Sequence, residues 1–158
     1  MAKRRDQIKM TPEDVESFLA DERVISVCTI GQDGWPHVTA LWYVLRDSEP
    51  WIYTYAKSQK VRNLERDNRT TLLVEAGHEY QELRGVMLKA RAEFHPDLET
   101  VAGVAEELFT RYRGNDSAKP IDEGTRGALR AQAAKRVTIR FRIEETVSWD
   151  HSKLGGAY

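Results

Sequence analysis

Lys57, Ser58, Lys60 and Arg62 fall within one short stretch, "YTYAKSQKVRNLERDNR", flanked by the apolar runs "WIYTY" and "TTLLVE". Ser58 is a good helix N-cap, so the cluster sits where a strand ends and a helix begins. Free backbone N–H groups at a helix N-terminus attract an anion. Lys and Ser side chains beside them make a phosphate cradle; a solvated helix start with ordinary surface lysines is compatible with the same residues. The stretch is not a P-loop, because it has no glycine run and no Gly-Lys-Ser/Thr.

Other residues capable of chemistry form no comparable group. His37, His78, His95 and His151 are scattered, with no spacing that suits a metal. His37 follows Pro36 at a strand start, where facing a bound ring is one reading; a structural or solvent-facing role is the first reading for each of the four. Cys28 lies in an apolar run and reads as a small core residue. No Ser-His-Asp arrangement emerges. Trp35, Trp42 and Trp51 read as core or interface residues. Trp149 and Tyr158 read as core, or as stacking groups for a planar ring in a neighbouring subunit.

The 158 residues are expected to form one domain, 1–158, large enough to bury a core without disulfides. Lys and Arg number 24 against 25 Asp and Glu, for a formal charge of -1. That balance gives no global drive toward nucleic acid or an anionic membrane. A single cysteine fits a reducing compartment. "MAKRRDQIKM" is basic but leads into no apolar segment, and no run approaches the roughly 20 residues of a membrane span. A cytoplasmic protein without nucleic-acid or membrane partners is expected.

These residues need a scaffold to position them. "TPEDVESFLADE" begins a helix with Thr11 as cap and Pro12 in the first turn. Strands follow over 24–30, 36–46 and 51–55, joined by the turns "GQDGWP" and "DSEP". After the helix that Ser58 opens come strands in "RTTLLVEAG" and "LRGVMLKARAEFHP", helices over 98–112 and 123–134, and the strand "KRVTIRFRIE". In the last, Val137, Ile139, Phe141 and Ile143 are expected to face one way, with Arg136, Thr138, Arg140 and Arg142 opposite. Short connections between strands predict an antiparallel arrangement. The expected fold is mainly β with peripheral helices, a six-stranded antiparallel barrel whose closure removes exposed edges.

The order helix, strand, "DGWPHVTALWY", "WIYTYAKSQKVRNLERDNRTTLLVE", "RGVMLKARAEF" and a late "VTIRFRIE" resembles the pyridoxamine 5′-phosphate oxidase-like superfamily. These are split β-barrel proteins that bind FMN or a deazaflavin, and the resemblance spans roughly residues 12–149. The most specific piece is "YTYAKSQKVRNLERDNR", similar to the segment that holds the cofactor phosphate in that family. The resemblance implies that Ser58 and Lys60 take the phosphate, with Lys57 and Arg62 supporting them and Val61 between. It implies that Tyr53 and Thr54 flank the cofactor and that Val38, Thr39, Ala40 and Leu41 line its ring through their backbone. Gly85 would lie near the ring, where glycine permits close approach; a β-bulge would explain it equally.

Several positions depart from the true oxidases. Gln59 and Thr39 stand where those enzymes have arginines, Val44 where they have a lysine, and Gly85 where they have a glutamine. The tail "SWDHSKLGGAY" lacks their substrate motif. The chain therefore resembles the flavin- and deazaflavin-dependent branch, and turnover of vitamin B6 phosphates is not expected. The implied activity is an oxidoreductase that passes hydride between bound coenzyme F420 or FMN and a small planar substrate, a quinone or an unsaturated carbonyl. No catalytic residue and no metal is assigned. The alternative is a non-catalytic flavin-, deazaflavin- or haem-binding protein of the same fold. A homodimer is expected, with cofactor sites at the interface and the tail, through its Gly155-Gly156 pair, reaching toward the partner's site.

Overall fold

The computed structural model describes residues 3–155, so Gly156 and Tyr158 lie outside the described residues. A short turn of helix α1, Arg4–Gln7, precedes α2, Pro12–Asp21. Helix α2 starts with a complete capping box: the Thr11 hydroxyl accepts from Asp14 N and the Asp14 carboxylate accepts from Thr11 N. Strands β1, Ile25–Ile30, β2, Pro36–Leu41, β3, Tyr43–Arg46, and β4, Glu49–Tyr55, follow. Helix α3, Gln59–Arg66, leads into β5, Arg69–Ala76, and β6, Arg84–His95. Helices α4, Leu98–Tyr112, and α5, Glu123–Ala133, precede β7, Arg136–Asp150.

The sheet has seven strands rather than the six expected, in the order β2-β1-β5-β6-β7-β4-β3. The extra strand arises at Trp42, which splits the run 36–46. Leu41 pairs with Ile25 of β1, whereas Tyr43 pairs with Ile52 of β4. The chain thus crosses between the two edges of the sheet through one residue. Laid flat, seven strands at about 4.8 Å would separate those edges by roughly 29 Å. Two consecutive peptide units span only about 7 Å. The sheet must therefore curl on itself until its edge strands are neighbours, which gives a mainly β, antiparallel, barrel-like fold with peripheral helices.

Alternation along the strands sends Ile25, Val27, Leu72, Val74, Val86, Leu88, Ile139 and Phe141 into one fully buried core. Strand β4 is apolar almost throughout because both faces are covered. Ile52 points into the barrel, while Trp51 and Tyr53 pack beneath α4. The same cover buries Thr138, which the alternation places on the outer face, and its hydroxyl donates to His95 O at 3.0 Å.

Strand β7 also runs past the expected end at residue 144, to Asp150, opposite the whole of β6. A register shift between Lys89 and Ala90 leaves Glu144 as the extra residue, so the bulge is there and not at Gly85. From the end of β7 onward the chain is tied to its own N-terminal region and to the residue before β6. Asp150 N donates to Ile8 O at 2.7 Å, His151 N to Leu83 O at 3.0 Å, and the Lys153 amine to Asp14 at 3.0 Å. Among the described residues, no helix is long and apolar enough to cross a membrane.

Candidate functional site

Helix α3 is carried into position by β4. Ser58 N donates to Tyr55 O at 3.0 Å and Ala56 N to Lys135 O at 3.2 Å, so the turn leaving β4 is fastened to the start of β7. The far side of α3 is held by the β1–β2 hairpin. Asn63, fully buried, donates to Thr29 Oγ1 at 2.9 Å, and its amide oxygen accepts from Gln59 at 2.9 Å. Arg66 donates to Ile30 O at 2.5 Å. Val61 and Leu64 supply the apolar face that seats the helix on the barrel core.

Ser58 has the extended backbone of an N-cap, φ -70 and ψ 157, yet its hydroxyl makes no cap hydrogen bond. Its Oγ is buried and unpartnered. Lys60 is also buried, and among the described residues its amine bonds one group, Thr54 Oγ1, at 3.2 Å. An ammonium has three donors, so this cation is under-used where it lies. Burial lowers its pKa below the usual lysine value. Thr54, Ser58 and Lys60 thus concentrate a hydroxyl pair and a desolvated cation where α3 exposes its first N–H groups. Buried polar groups in native proteins are nearly always satisfied, and an unpaired hydroxyl and an under-used ammonium are both groups that donate to a phosphate. The residues present fit that group.

The remaining sequence-derived candidates divide. Tyr53 is half-buried with an unpartnered hydroxyl; burial raises its pKa against the opposing pull of Arg136, whose guanidinium lies 4.9 Å from its ring. Lys57 and Arg62 are exposed beside the cradle, whereas Val61 is committed to the core. On β2, Val38 and Ala40 are exposed, Leu41 packs on the core, and Thr39 is half-buried with an unpartnered Oγ1. Strand β2 and α3 meet in a cleft that Pro36, His37, Gln59 and Asn63 help to line. Gly85 stands apart on β6, directly opposite Trp149. A Cβ there would lie 2.2 Å from the indole, so the structure uses this glycine to seat Trp149.

Sequence reasoning passed over Asn63 and Thr29, the buried pair that docks α3 on the hairpin. The Gln59–Asn63 spacing of one helical turn was the available signal. Of the histidines, His37 lies at the cleft with an unpartnered Nδ1, His95 packs on the Trp51 ring, and His151 packs on Tyr80.

The family described as pyridoxamine 5′-phosphate oxidase matches residues 11–150. No curated protein matches the chain. A solved structure of the conserved hypothetical protein Rv2991 from Mycobacterium tuberculosis is similar at 38% identity and TM-score 0.88, covering 99% of this chain and 95% of that one. A structure titled F420 reductase is similar at 25% identity and TM-score 0.67, over 86% of this chain and 98% of that one. The haem storage protein HutZ from Vibrio cholerae shares the fold at 15% identity and TM-score 0.66, with 92% and 99% covered.

Proposed function

The chain belongs to the pyridoxamine 5′-phosphate oxidase family, and from that premise we propose that it is an oxidoreductase holding a flavin-type cofactor, coenzyme F420 or FMN, for reaction with a small planar substrate. The observation that carries the reading is the uncapped start of α3, where Ser58 Oγ is buried without a partner two residues before the buried Lys60. When bound, the cofactor supplies the hydride chemistry. The chain's own residues have simpler work. Lys60, Ser58 and Thr54 hold the phosphate; exposed Lys57 and Arg62 draw in an anionic tail; β2 offers backbone to the ring through Val38–Leu41.

Charge favours the deazaflavin. Among the buried cradle residues Lys60 alone is cationic, and Gln59 is neutral. One desolvated cation matches the single charge of a phosphodiester, as in the tail of F420, better than the two charges of the FMN monoester. The relative titled F420 reductase supports the same choice.

We place the cofactor at the interface of a homodimer. Strand β2 is a sheet edge whose outer face exposes Val38 at 60%, next to Trp35 at 75% and Trp42 at 57%. Apolar surface of that kind on an edge strand favours burial against another chain. We also place the protein in the cytoplasm.

The test is a fluorescence titration of purified protein with F420 and with FMN, repeated with Ser58→Ala and Lys60→Met, and with sedimentation to read the oligomer. Saturable F420 binding that weakens in both variants supports the proposal. Binding unchanged in both would overturn the cradle. A Soret band on adding haemin, with no binding of either flavin, would replace the reading with a haem-binding one.

A further inference from the structure

Two stretches of chain without an acidic residue meet beside the phosphate cradle. Residues 50–64 hold Lys57, Lys60 and Arg62 and no Asp or Glu; residues 124–143 hold six cations and no Asp or Glu. They meet where β4 ends and β7 begins. Tyr55 is paired with Arg136, Ala56 N donates to Lys135 O at 3.2 Å, and Ser58 N donates to Tyr55 O at 3.0 Å.

Away from this strand end the cations are engaged by the fold. Arg126 and Arg130 on α5 pair with Glu106 and Glu99 of α4, and Arg140 and Arg142 on β7 pair with Glu49 and Glu93. Lys135 and Arg136 pair with no carboxylate among the described residues, nor do exposed Lys57 and Arg62. The cations without a counter-charge are therefore those next to the cradle.

Arg136 differs from the others in being held. It is half-buried, and its guanidinium lies 3.6 Å from the centre of the Tyr55 ring and 4.9 Å from that of Tyr53, two residues apart on one face of β4. At 3.6 Å the guanidinium meets the Tyr55 ring with its flat face, because an edge-on approach would drive a nitrogen into the ring. Face-on contact leaves the N–H groups in the guanidinium plane, free to donate as a fork to a carboxylate. A group fixed in advance also loses less freedom on binding. This face of β4 is the outer one; Thr54, whose hydroxyl meets Lys60 in the cradle, points the other way. Only Ala56 and Lys57, in the turn leaving β4, separate the cradle from Arg136, and Lys57 stands there exposed.

We propose that the end of β4 and the start of β7 form a second anion site, in which Arg136 takes a carboxylate extending past the phosphate of the ligand in the cradle, with Lys57 and Lys135 beside it. FMN ends at its phosphate and has nothing to place there. A phosphodiester that continues into carboxylates, as F420 does in its γ-glutamate tail, would occupy both. Identifying the ligand as that cofactor rests on the oxidoreductase reading; the anion site does not.

The test compares F420 bearing its glutamate tail with the same cofactor lacking it, and with FMN, by fluorescence titration of the full chain. The tailed form should bind at least about tenfold more tightly than the tail-less one, and this advantage should shrink as ionic strength rises. Arg136→Gln should erase most of the advantage and leave the tail-less form and FMN unchanged. Arg136→Lys, which keeps the charge and loses the fork, should recover only part of it. Circular dichroism checks each variant's fold. Tri-γ-glutamate without any cofactor should shift the Arg136 side-chain Nε resonance of the full chain. The proposal falls if that resonance does not move, if the tailed and tail-less forms bind equally, or if Arg136→Gln weakens both alike. F420 binding that depends on Ser58 and Lys60 but not on the tail would leave the cradle standing without the anion site. A tri-γ-glutamate shift with no binding of F420 or FMN would keep the anion site and remove the cofactor, so the two readings fail separately.

Discussion

Helices α2 and α3 begin with the same chemistry and use it in opposite ways. Thr11 and Ser58 are both hydroxyl N-caps with extended backbone, at φ -70 in each case. Thr11 closes a capping box, whereas Ser58 leaves its hydroxyl unpaired and the first N–H groups of α3 open. Helices α4 and α5 follow the first pattern, capped by Asp97 and Asp122. The contrast extends to whole regions. Around Tyr43, where α2 meets the last turn of α4, buried polarity is satisfied internally: the Tyr43 hydroxyl donates to Leu19 O at 2.5 Å, Tyr112 bridges Arg23 O and Tyr43 O, and Arg111 donates to Leu19, Ala20 and Glu22 carbonyls. Around α3 and β2, Ser58, Thr39 and His37 each bury a polar atom without a partner. Polarity that bonds within the chain serves the fold; polarity left unbonded at low solvent access is poised for a ligand. Beneath α4 and at its end, Trp51 Nε1, the Tyr53 hydroxyl and Arg113 Nε are also unpaired.

The sharpest break of this comparison comes from the satisfied side. Tyr43→Ala removes a fully buried ring and should cost about 3–5 kcal/mol in chemical denaturation, with no change in F420 affinity measured below the transition. Tyr43→Phe should be far milder, because Leu19 O keeps Arg111 as a donor at 3.2 Å.

Alkaline titration separates the regions by sign. Burial pushes the Tyr43 hydroxyl up to about 12, above its unfolded value of 10.0. Its contribution is whole below pH 10 and is lost as pH rises through 12, a loss of about 2–3 kcal/mol. Lys60 shifts the other way, below 10.5. The unfolded chain then binds the proton more readily, so stability rises with pH between the lowered value and 10.5. Urea midpoints taken across this range should lose the fall in Tyr43→Phe and lose the rise in Lys60→Met. If neither variant alters the curve, the burial contrast carries no energetic weight.

Next in size is the cradle itself. Lys60→Met should weaken F420 binding by at least about tenfold, or ~1.4 kcal/mol, through loss of a charge-assisted bond. Its melting temperature should equal or exceed that of the wild type, since a buried cation is replaced by an apolar chain of similar length. A lower melting temperature would assign Lys60 to the fold.

The smallest effect compares the two caps directly. Thr11→Ala should cost about 1 kcal/mol. Ser58→Ala should stay within about 0.5 kcal/mol, because no cap bond is lost. Equal costs in thermal melts would mean that Ser58 caps α3 in solution.

Much of this molecule was written locally. Thr11-Pro12 started a helix, the alternation of Val137, Ile139 and Phe141 marked a core strand, and Ser58 marked the start of the helix between β4 and β5. Such signals are legible because caps, turns and periodicity depend on residues within a few positions of one another. What lay beyond the sequence were choices between distant partners. Trp42 looks like the middle of a strand until its two sides pair with different edges of the sheet. Gly85 reads equally as a bulge or a ligand's neighbour, and only the register of β6 against β7 sets Trp149 opposite it and puts the bulge elsewhere. Ser58 carries the residue type and the backbone of a cap, and only the packing of α3 between β4 and the β1–β2 hairpin leaves its hydroxyl unpaired and Lys60 out of water. Residue type decides which bonds a group is able to make; burial and register, set by contacts far apart in the chain, decide which of them remain open.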